Sequence, residues 1–301
     1  MISTLNPSAQ QFLDNLNRIG DAMTSAQREV STGLKITQVS DAPDSISLLL
    51  EAHADLASTQ QVLTNLGRVK TEVDAGEQAL QNAVQTFEQV QTLAAQGATD
   101  TQTAAARVDI AQQVDALLQR TVGLAATRIE GRYIFSGDRD QQVPYTYDAA
   151  QIPPVSAYGG SASTRQVQSP GGATFTVALT AQQIFDSADP TTNVFTSIES
   201  LSTALKNNDS AAIQTSLDGL AKVGEFLNSQ LAFYGTAQNQ VASATTDGQT
   251  LETQLQTEVA GLQDADLAKS ILDLTQAQTQ QQAALGSWAQ LPRKTLFDYI
   301  G

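Results

Sequence analysis

Side chains that could support enzymatic chemistry are few in this chain of 301 residues. It contains no cysteine and a single histidine, His53, which excludes disulfides, cysteine nucleophiles and multi-histidine metal sites. Asp55 lies near His53, but both fall in a helical stretch, and the chain has no G-x-S-x-G nucleophile turn. Because a Ser–His–Asp triad depends on mutual geometry, we interpret His53 as a surface or seam residue and predict no catalytic residues and no enzyme.

Acidic residues offer a second possible kind of site. Asp138 and Asp140 in GDRD are similar to the start of a calcium loop, but the glycine and the final glutamate of that loop are missing. Glu225, Glu252 and Glu258 recur at helical spacing, and we interpret them as a solvated face rather than as paired glycosidase carboxylates. We therefore expect no metal and no cofactor.

The overall charge narrows the choice of partners. The formal net charge is −15 and the isoelectric point is about 4.3, which argues against binding to nucleic acid or to an anionic membrane surface. No apolar run reaches the ~18 residues of a membrane span, so membrane insertion is not expected. The N-terminus has no basic region followed by an apolar core, and we predict no cleavable secretory signal.

Both ends of the chain carry the pattern of a coiled coil. Apolar residues recur in alternating steps of three and four at Ile2, Leu5, Ala9, Phe12, Leu16, Ile19, Met23, Ala26 and Val30. The same step recurs at Leu267, Ile271, Leu274, Gln278, Gln281, Leu285 and Trp288. A repeat of 3.5 residues needs a partner helix to cover it, so we predict that the two ends pair.

Between the ends, the predicted elements are nested. Helices are expected over Pro43–Gln96, with Ser40 or Asp41 as N-cap, and over Thr103–Glu130, and these two helices should pack as an antiparallel hairpin. Short β-like runs follow at Gly131–Gly137 and Thr174–Leu179, and the second alternates with period two.

Helical periodicity then returns. We predict a short helix over Val194–Leu205, a long helix capped by Asp209 or Ser210 with a weak point at Gly248, and a terminal helix after Asp264–Asp266. The predicted fold is mainly α: an elongated rod of long coiled-coil-like helices formed by both termini, with a small β-rich inserted outer domain.

The C-terminal tail ends in the apolar residues Leu296, Phe297 and Ile300. A chain with this many polar residues has little reason to expose such a tail unless assembly buries it. We interpret Trp288 and Phe297 as anchors at a subunit contact, where tryptophan is enriched; the alternative is that they fill the core of a small bundle.

Four stretches resemble a known family. Val30–Ser45 (VSTGLKI…VSDAPDS) and Thr295–Ile300 (TLFDYI), together with the nested layout, are similar to flagellin-like proteins of the bacterial flagellum. Gly131–Gly137 (GRYIFSG) and Ile184–Leu205 resemble the branch of hook-associated proteins that form the hook–filament junction.

The resemblance implies three domains: a terminal coiled-coil inner core (1–40 with 265–301), a helical rod (41–135 with 205–264) and an inserted outer domain (136–204). It also implies a ring of copies between the other junction protein and flagellin. Export would use the flagellar type III apparatus and a chaperone, and would place the protein outside the cell. The expected assembly interface comprises Ile2, Leu5, Phe12, Leu16, Ile19, Met23, Val30, Leu274, Leu285, Trp288, Leu296, Phe297 and Ile300. A filament-forming flagellin, a hydrolase using the insert, and a generic coiled-coil adhesin or export substrate remain alternatives.

Overall fold

The computed structural model describes residues 7–290 of the chain, which are predominantly helical. The helices are α1 (Pro7–Thr32), α2 (Ile46–Gly97), α3 (Ala104–Ala125), α4 (Ala181–Phe185), α5 (Val194–Lys206), α6 (Ser210–Gln263) and α7 (Leu267–Ala289). The strands are β1 (Arg128–Ile129), β2 (Arg132–Tyr133), β3 (Gln166–Gln168) and β4 (Thr174–Thr176). The predicted fold class, mainly α with a small sheet region in an insert, is confirmed.

Both sheets are antiparallel pairs, and both are shorter than the sequence pattern suggested. Arg128 pairs with Tyr133 in the β1–β2 hairpin, so only two residues of the predicted run Gly131–Gly137 are in a strand. Gln166 pairs with Thr176 in the β3–β4 pair, and Val177 to Leu179 lie beyond the strand. The sequence pattern predicted the position of both β segments correctly. Their length is shorter because only the residues that have a partner on the opposite strand are in a strand.

Two predicted helix boundaries and one predicted weak point are wrong. Helix α3 ends at Ala125 rather than near Glu130, because the chain reverses into the β1–β2 turn, where Glu130 and Gly131 have φ values of 49° and 82°. Helix α2 begins at Ile46 rather than at Pro43. Helix α6 continues through Gly248, where the predicted weak point is instead a close packing site: an added Cβ would lie 2.7 Å from Leu63 Cδ2.

The structure divides into two compact units, residues 1–58 with 252–301 and residues 59–251. The three-domain division drawn from the sequence resemblance stays a prediction. The larger unit holds most of the buried apolar side chains of residues 7–290, drawn from α2, α3, α5, α6 and the insert. Its α2 and α6 segments run antiparallel. Among the residues that face each other, the residue number increases along α2 while it decreases along α6. These pairs are Leu63 with Gly248, Gly76 with Tyr234, and Gln91 with Leu220.

Arg107 joins two turns at one end of these helices. Its side chain is almost fully buried, and its guanidinium donates to Gly97 O at 3.0 Å, Asn208 Oδ1 at 2.7 Å and Ser210 Oγ at 3.0 Å. Gly97 closes α2, and a cation is favourable beside the carbonyls of a helix C-terminus. The α2–α3 turn and the α5–α6 turn are thereby held together.

The insert is fastened to the helices by charge and by one tyrosine. Glu72 of α2 forms ion pairs with Arg132, at 3.4 Å, and with Arg165. Tyr234 of α6 accepts a hydrogen bond from Leu179 N at 3.3 Å, and its ring lies against Gly76. Since Tyr234 is buried, the absence of a side chain at Gly76 is what admits the ring.

We predict opposite effects of alanine at two glycines of α2. In Gly76→Ala the new Cβ would overlap the Tyr234 ring, and overpacking of this kind costs about 1–3 kcal/mol. In Gly67→Ala the Cβ meets nothing within 4 Å, so helix propensity should stabilise the chain by about 0.5–1 kcal/mol. Chemical denaturation of the two variants measures the difference, and equal changes would contradict the packing described here.

Candidate functional site

Helices α1 and α7 form an antiparallel pair within the smaller unit, which confirms the predicted pairing of the chain ends. Near one end of the pair the rings of Phe12 and Trp288 stack with centroids 4.3 Å apart. Further along, Ser270 Oγ donates to Glu29 Oε2 at 2.7 Å. The seam is therefore continuous over the described length of both helices.

The predicted stripe of α1 faces α7. Every position of the stripe from Ala9 to Val30 is buried or half-buried: Ala9, Phe12, Leu16, Ile19, Met23, Ala26 and Val30. Ile2 and Leu5, which were assigned to the same stripe, lie outside the described residues.

The predicted stripe of α7 is partly wrong. Leu267, Ile271 and Leu285 are 48%, 51% and 50% exposed, and Gln278 is exposed as well. The residues that face α1 are Ser270, Leu274, Ala277, Gln281, Ala284 and Trp288, again in steps of four and three. Since α1 supplies the bulky side chains of the seam, α7 fills alternate positions with Ser270, Ala277 and Ala284, which let the two helices approach. Their spacing of seven residues was the signal that hydrophobicity alone missed.

A second set of contacts joins the segment after α1 to the end of α6. Gly33, which has a φ of 74°, accepts from Ala265 N at 2.8 Å, and Lys35 N donates to Gln263 O at 2.8 Å. Lys35 Nζ also donates to Gly261 O at 3.0 Å. These bonds order the connector between α1 and α2.

His53 belongs to this junction rather than to a catalytic group. Its Nε2 lies 3.2 Å from Gln263 Oε1, while Gln263 Nε2 donates to Ile36 O at 3.4 Å. Asp140, part of the weak calcium-loop motif, forms an ion pair with Arg132 at 3.7 Å. Both residues therefore have structural partners. Gln263, which sequence reasoning did not single out, connects three segments.

Neither predicted cap of α2, Ser40 or Asp41, precedes the helix directly, because α2 begins at Ile46. Asp41 has other partners. Its carboxylate accepts from Thr37 N at 2.9 Å and from Gln38 N at 2.8 Å, and it lies 3.6 Å from Arg28. The backbone donors at Thr37 and Gln38, chiefly that of Thr37, lower the pKa of Asp41 below its usual range. Asp41 thus closes the connector onto itself.

The α1–α7 pair presents two contrasting surfaces. One, the ridge, consists of half-exposed aliphatic side chains of both helices: Leu13 at 43% exposed, with Leu267, Ile271 and Leu285. The other, the groove, has a volume of about 370 Å³. It is lined by Ala22, Ser25, Ala26, Glu29, Asp273, Gln276, Ala277 and Gln280. The remaining predicted interface residues, Leu296, Phe297 and Ile300, lie outside the described residues.

Comparisons with known families match both ends of the chain. The model of the bacterial flagellin N-terminal helical region matches residues 2–140, and that of the C-terminal helical region matches residues 217–300. Curated protein sequences gave no match. Among the helices of residues 7–290, none has the length and apolar character needed to cross a bilayer.

Solved structures share this fold at low sequence identity. A protein from Vibrio parahaemolyticus described as a flagellar hook-associated protein is 17% identical, with a TM-score of 0.65, over 74% of this chain and 100% of its own. Flagellar hook-associated protein 3 of Legionella pneumophila is 13% identical, with a TM-score of 0.62, over 72% and 98%. FlgL of Xanthomonas campestris is 18% identical, with a TM-score of 0.59, over 68% and 98%.

We predict that Phe12→Ala loosens the α1–α7 pair. The chain has one tryptophan, so Trp288 fluorescence reports on its stacking partner directly. Loss of a stacked aromatic pair removes about 0.5–1.5 kcal/mol beyond the buried area, and emission should shift to the red with stronger acrylamide quenching. Leu13→Ala is the matched control, since Leu13 is 43% exposed; an equal shift in that variant would contradict the assigned seam.

We also predict that acid opens the connector. The pKa of Asp41 is lowered in the folded chain, so its stabilising effect is complete above the unfolded value, about 3.9 for aspartate. The effect is lost as the pH falls through the lower folded value. Below pH ~4, hydrogen exchange at Thr37 N and Gln38 N should accelerate relative to Ser45 N, which donates to the Ala42 carbonyl. In Asp41→Asn this pH dependence should disappear, and its persistence would contradict the role of Asp41.

Proposed function

The chain belongs to the bacterial flagellin family, and on that premise we propose that it is the structural subunit that joins the hook side of the flagellum to the flagellin filament. The observation that best supports this proposal is the α1–α7 pair. It brings both family regions together at the chain ends, yet Leu267, Ile271 and Leu285 stay about half exposed. A pair that leaves this much apolar surface uncovered is suited to burial against further subunits. We assign the predicted interface residues of the two termini to that contact.

The junction role is favoured over the alternative, a filament-forming flagellin. The three solved proteins named above share the fold over about 70% of this chain and nearly all of their own, and their descriptions place them among hook-associated proteins or as FlgL. Their identities of 13–18% support a common fold, so the role itself is our inference. Its partners would be further copies of this chain in a ring, the other junction protein, and flagellin.

The route to that position is a further part of the proposal. We propose that a dedicated chaperone delivers the chain to the flagellar type III export apparatus, which carries it out of the cell. The family consists of structural components of a flagellum exposed outside the cell, and we propose that this member has no catalytic activity. The contacts of His53 and Asp140 with Gln263 and Arg132 support that assignment.

Deletion of the gene tests the junction role. We expect cells with intact hooks, no filaments and flagellin released into the medium, because flagellin then has no junction subunit on which to assemble at the hook. Motility assays, electron microscopy of sheared cells and immunoblots of the medium make the measurement, and complementation with the wild-type gene is the control.

Two outcomes would contradict the proposal. Filaments that remain attached in the deletion strain would show that the protein does not form the junction. Long helical polymers grown from the purified chain alone would favour the filament-forming flagellin.

A further inference from the structure

The Tyr234 hydroxyl, in the core of the larger unit, has a donor without an acceptor. Its oxygen accepts from Leu179 N at 3.3 Å, and among residues 7–290 this is the one hydrogen bond of that hydroxyl. A phenolic hydroxyl can donate as well as accept. Tyr234 is only 2% exposed, so bulk solvent does not reach its proton.

This hydroxyl remains a donor at any pH at which the protein is folded in the cell. Burial raises the pKa of Tyr234, because the charged phenolate would have to be desolvated. A buried donor that loses its bond to water without gaining another is costly, and native proteins usually satisfy such groups with protein atoms or ordered water. The Tyr234 proton therefore requires an acceptor.

A small cavity lies beside this hydroxyl, between α2, α6 and the insert. Its volume is about 20 Å³, and it is lined by both Tyr234 and Leu179, the two residues that share the hydrogen bond. One water molecule needs roughly 10–15 Å³, whereas pockets for small organic ligands have about 300 Å³ or more. The cavity has room for one water molecule and not for an organic ligand.

The lining of the cavity is suited to water rather than to an ion. Glu72 and Arg165 both line it, so neither sign of charge prevails there. Glu72 pairs with Arg132 and Arg165, but each carboxylate oxygen can accept two hydrogen bonds, and Glu72 retains acceptor capacity. An internal water makes about three hydrogen bonds, and the tyrosine hydroxyl and the carboxylate supply a donor and an acceptor for it.

We propose that this cavity binds one water molecule, which accepts the proton of the Tyr234 hydroxyl and donates to the Glu72 carboxylate. The water connects α6 with α2 at the point where the insert meets both helices. Water-mediated bonds are nearly as favourable in enthalpy as direct ones. The bound water thus completes the joint that the Glu72 ion pairs and the Leu179 bond form between the insert and the helices.

Removal of the hydroxyl tests the proposal. Tyr234→Phe keeps the buried ring and deletes only the oxygen with its proton. Tyr147→Phe is the matched control, since Tyr147 is a half-buried tyrosine of the insert that does not line the cavity. Magnetic relaxation dispersion of isotopically labelled water oxygen is recorded on the full chain. It detects water molecules that stay inside the protein, and the exchange of hydroxyl protons does not contribute to it.

We expect the dispersion amplitude of Tyr234→Phe to fall by the contribution of one water molecule per chain, and that of Tyr147→Phe to equal the wild type. Circular dichroism verifies that both variants fold. A crystal structure of the wild-type chain is a second test that needs no variant. It should show an ordered water about 2.7–2.8 Å from the Tyr234 hydroxyl oxygen, the usual distance for a hydroxyl donor.

Two results would overturn the proposal. A folded Tyr234→Phe chain with the dispersion amplitude of the wild type would show that the hydroxyl holds no water. A crystal structure that orders other buried waters but shows none beside Tyr234 would lead to the same conclusion without the variant. Neither result bears on the proposed function, because the cavity belongs to the larger unit and the α1–α7 pair to the smaller one.

Discussion

The shared face of α1 and α7 is the constraint on which the smaller unit depends. Two helices can cover only one stripe of each other, so a pair has a seam and no enclosed core. Within the described part of the seam, Ala26, Ser270 and Ala277 are nearly fully buried, whereas Phe12 and Trp288 at one end are only half-buried. The pair consequently retains apolar surface that other subunits would cover, and a tightly self-contained pair would be a poor assembly element.

The larger unit solves the same packing problem differently. Its helices surround buried side chains on several sides, and glycines at Gly76 and Gly248 let aromatic or aliphatic groups approach the facing backbone. Arg107 supplies hydrogen bonds to carbonyls and side chains where the helices turn. One chain thus contains a part whose apolar groups are enclosed and a part whose apolar groups remain available.

The sequence predicted the features that depend on hydrophobic periodicity. It failed where the structure depends on the element packed against a segment. The part of the α1 stripe from Ala9 to Val30 was correct because most large apolar residues of that helix, among them Phe12, Leu16 and Ile19, fall on one face. The α7 stripe was shifted because hydrophobicity favoured Ile271 and Leu285 over Ser270 and Ala277, although close approach of two helices selects small side chains. The role of Asp41 was missed because a carboxylate two residues before Pro43 satisfies both a cap pattern and a turn pattern, and only the fold of the connector distinguishes them.

The bonds that tie the connector to the end of α6 have a consequence for the order of folding. Lys35 and Gly261 are 226 residues apart along the chain, so their bond closes one of the longest loops available to this protein. The entropy of loop closure must be met before such a contact stabilises anything, and contacts of this separation slow folding. Helix α1 precedes α6 in the chain, but the bonds that hold the segment after α1 cannot form until the end of α6 has been made. A chain that is still incomplete therefore carries α1 without the parts of α6 and α7 that contact it and the segment after it.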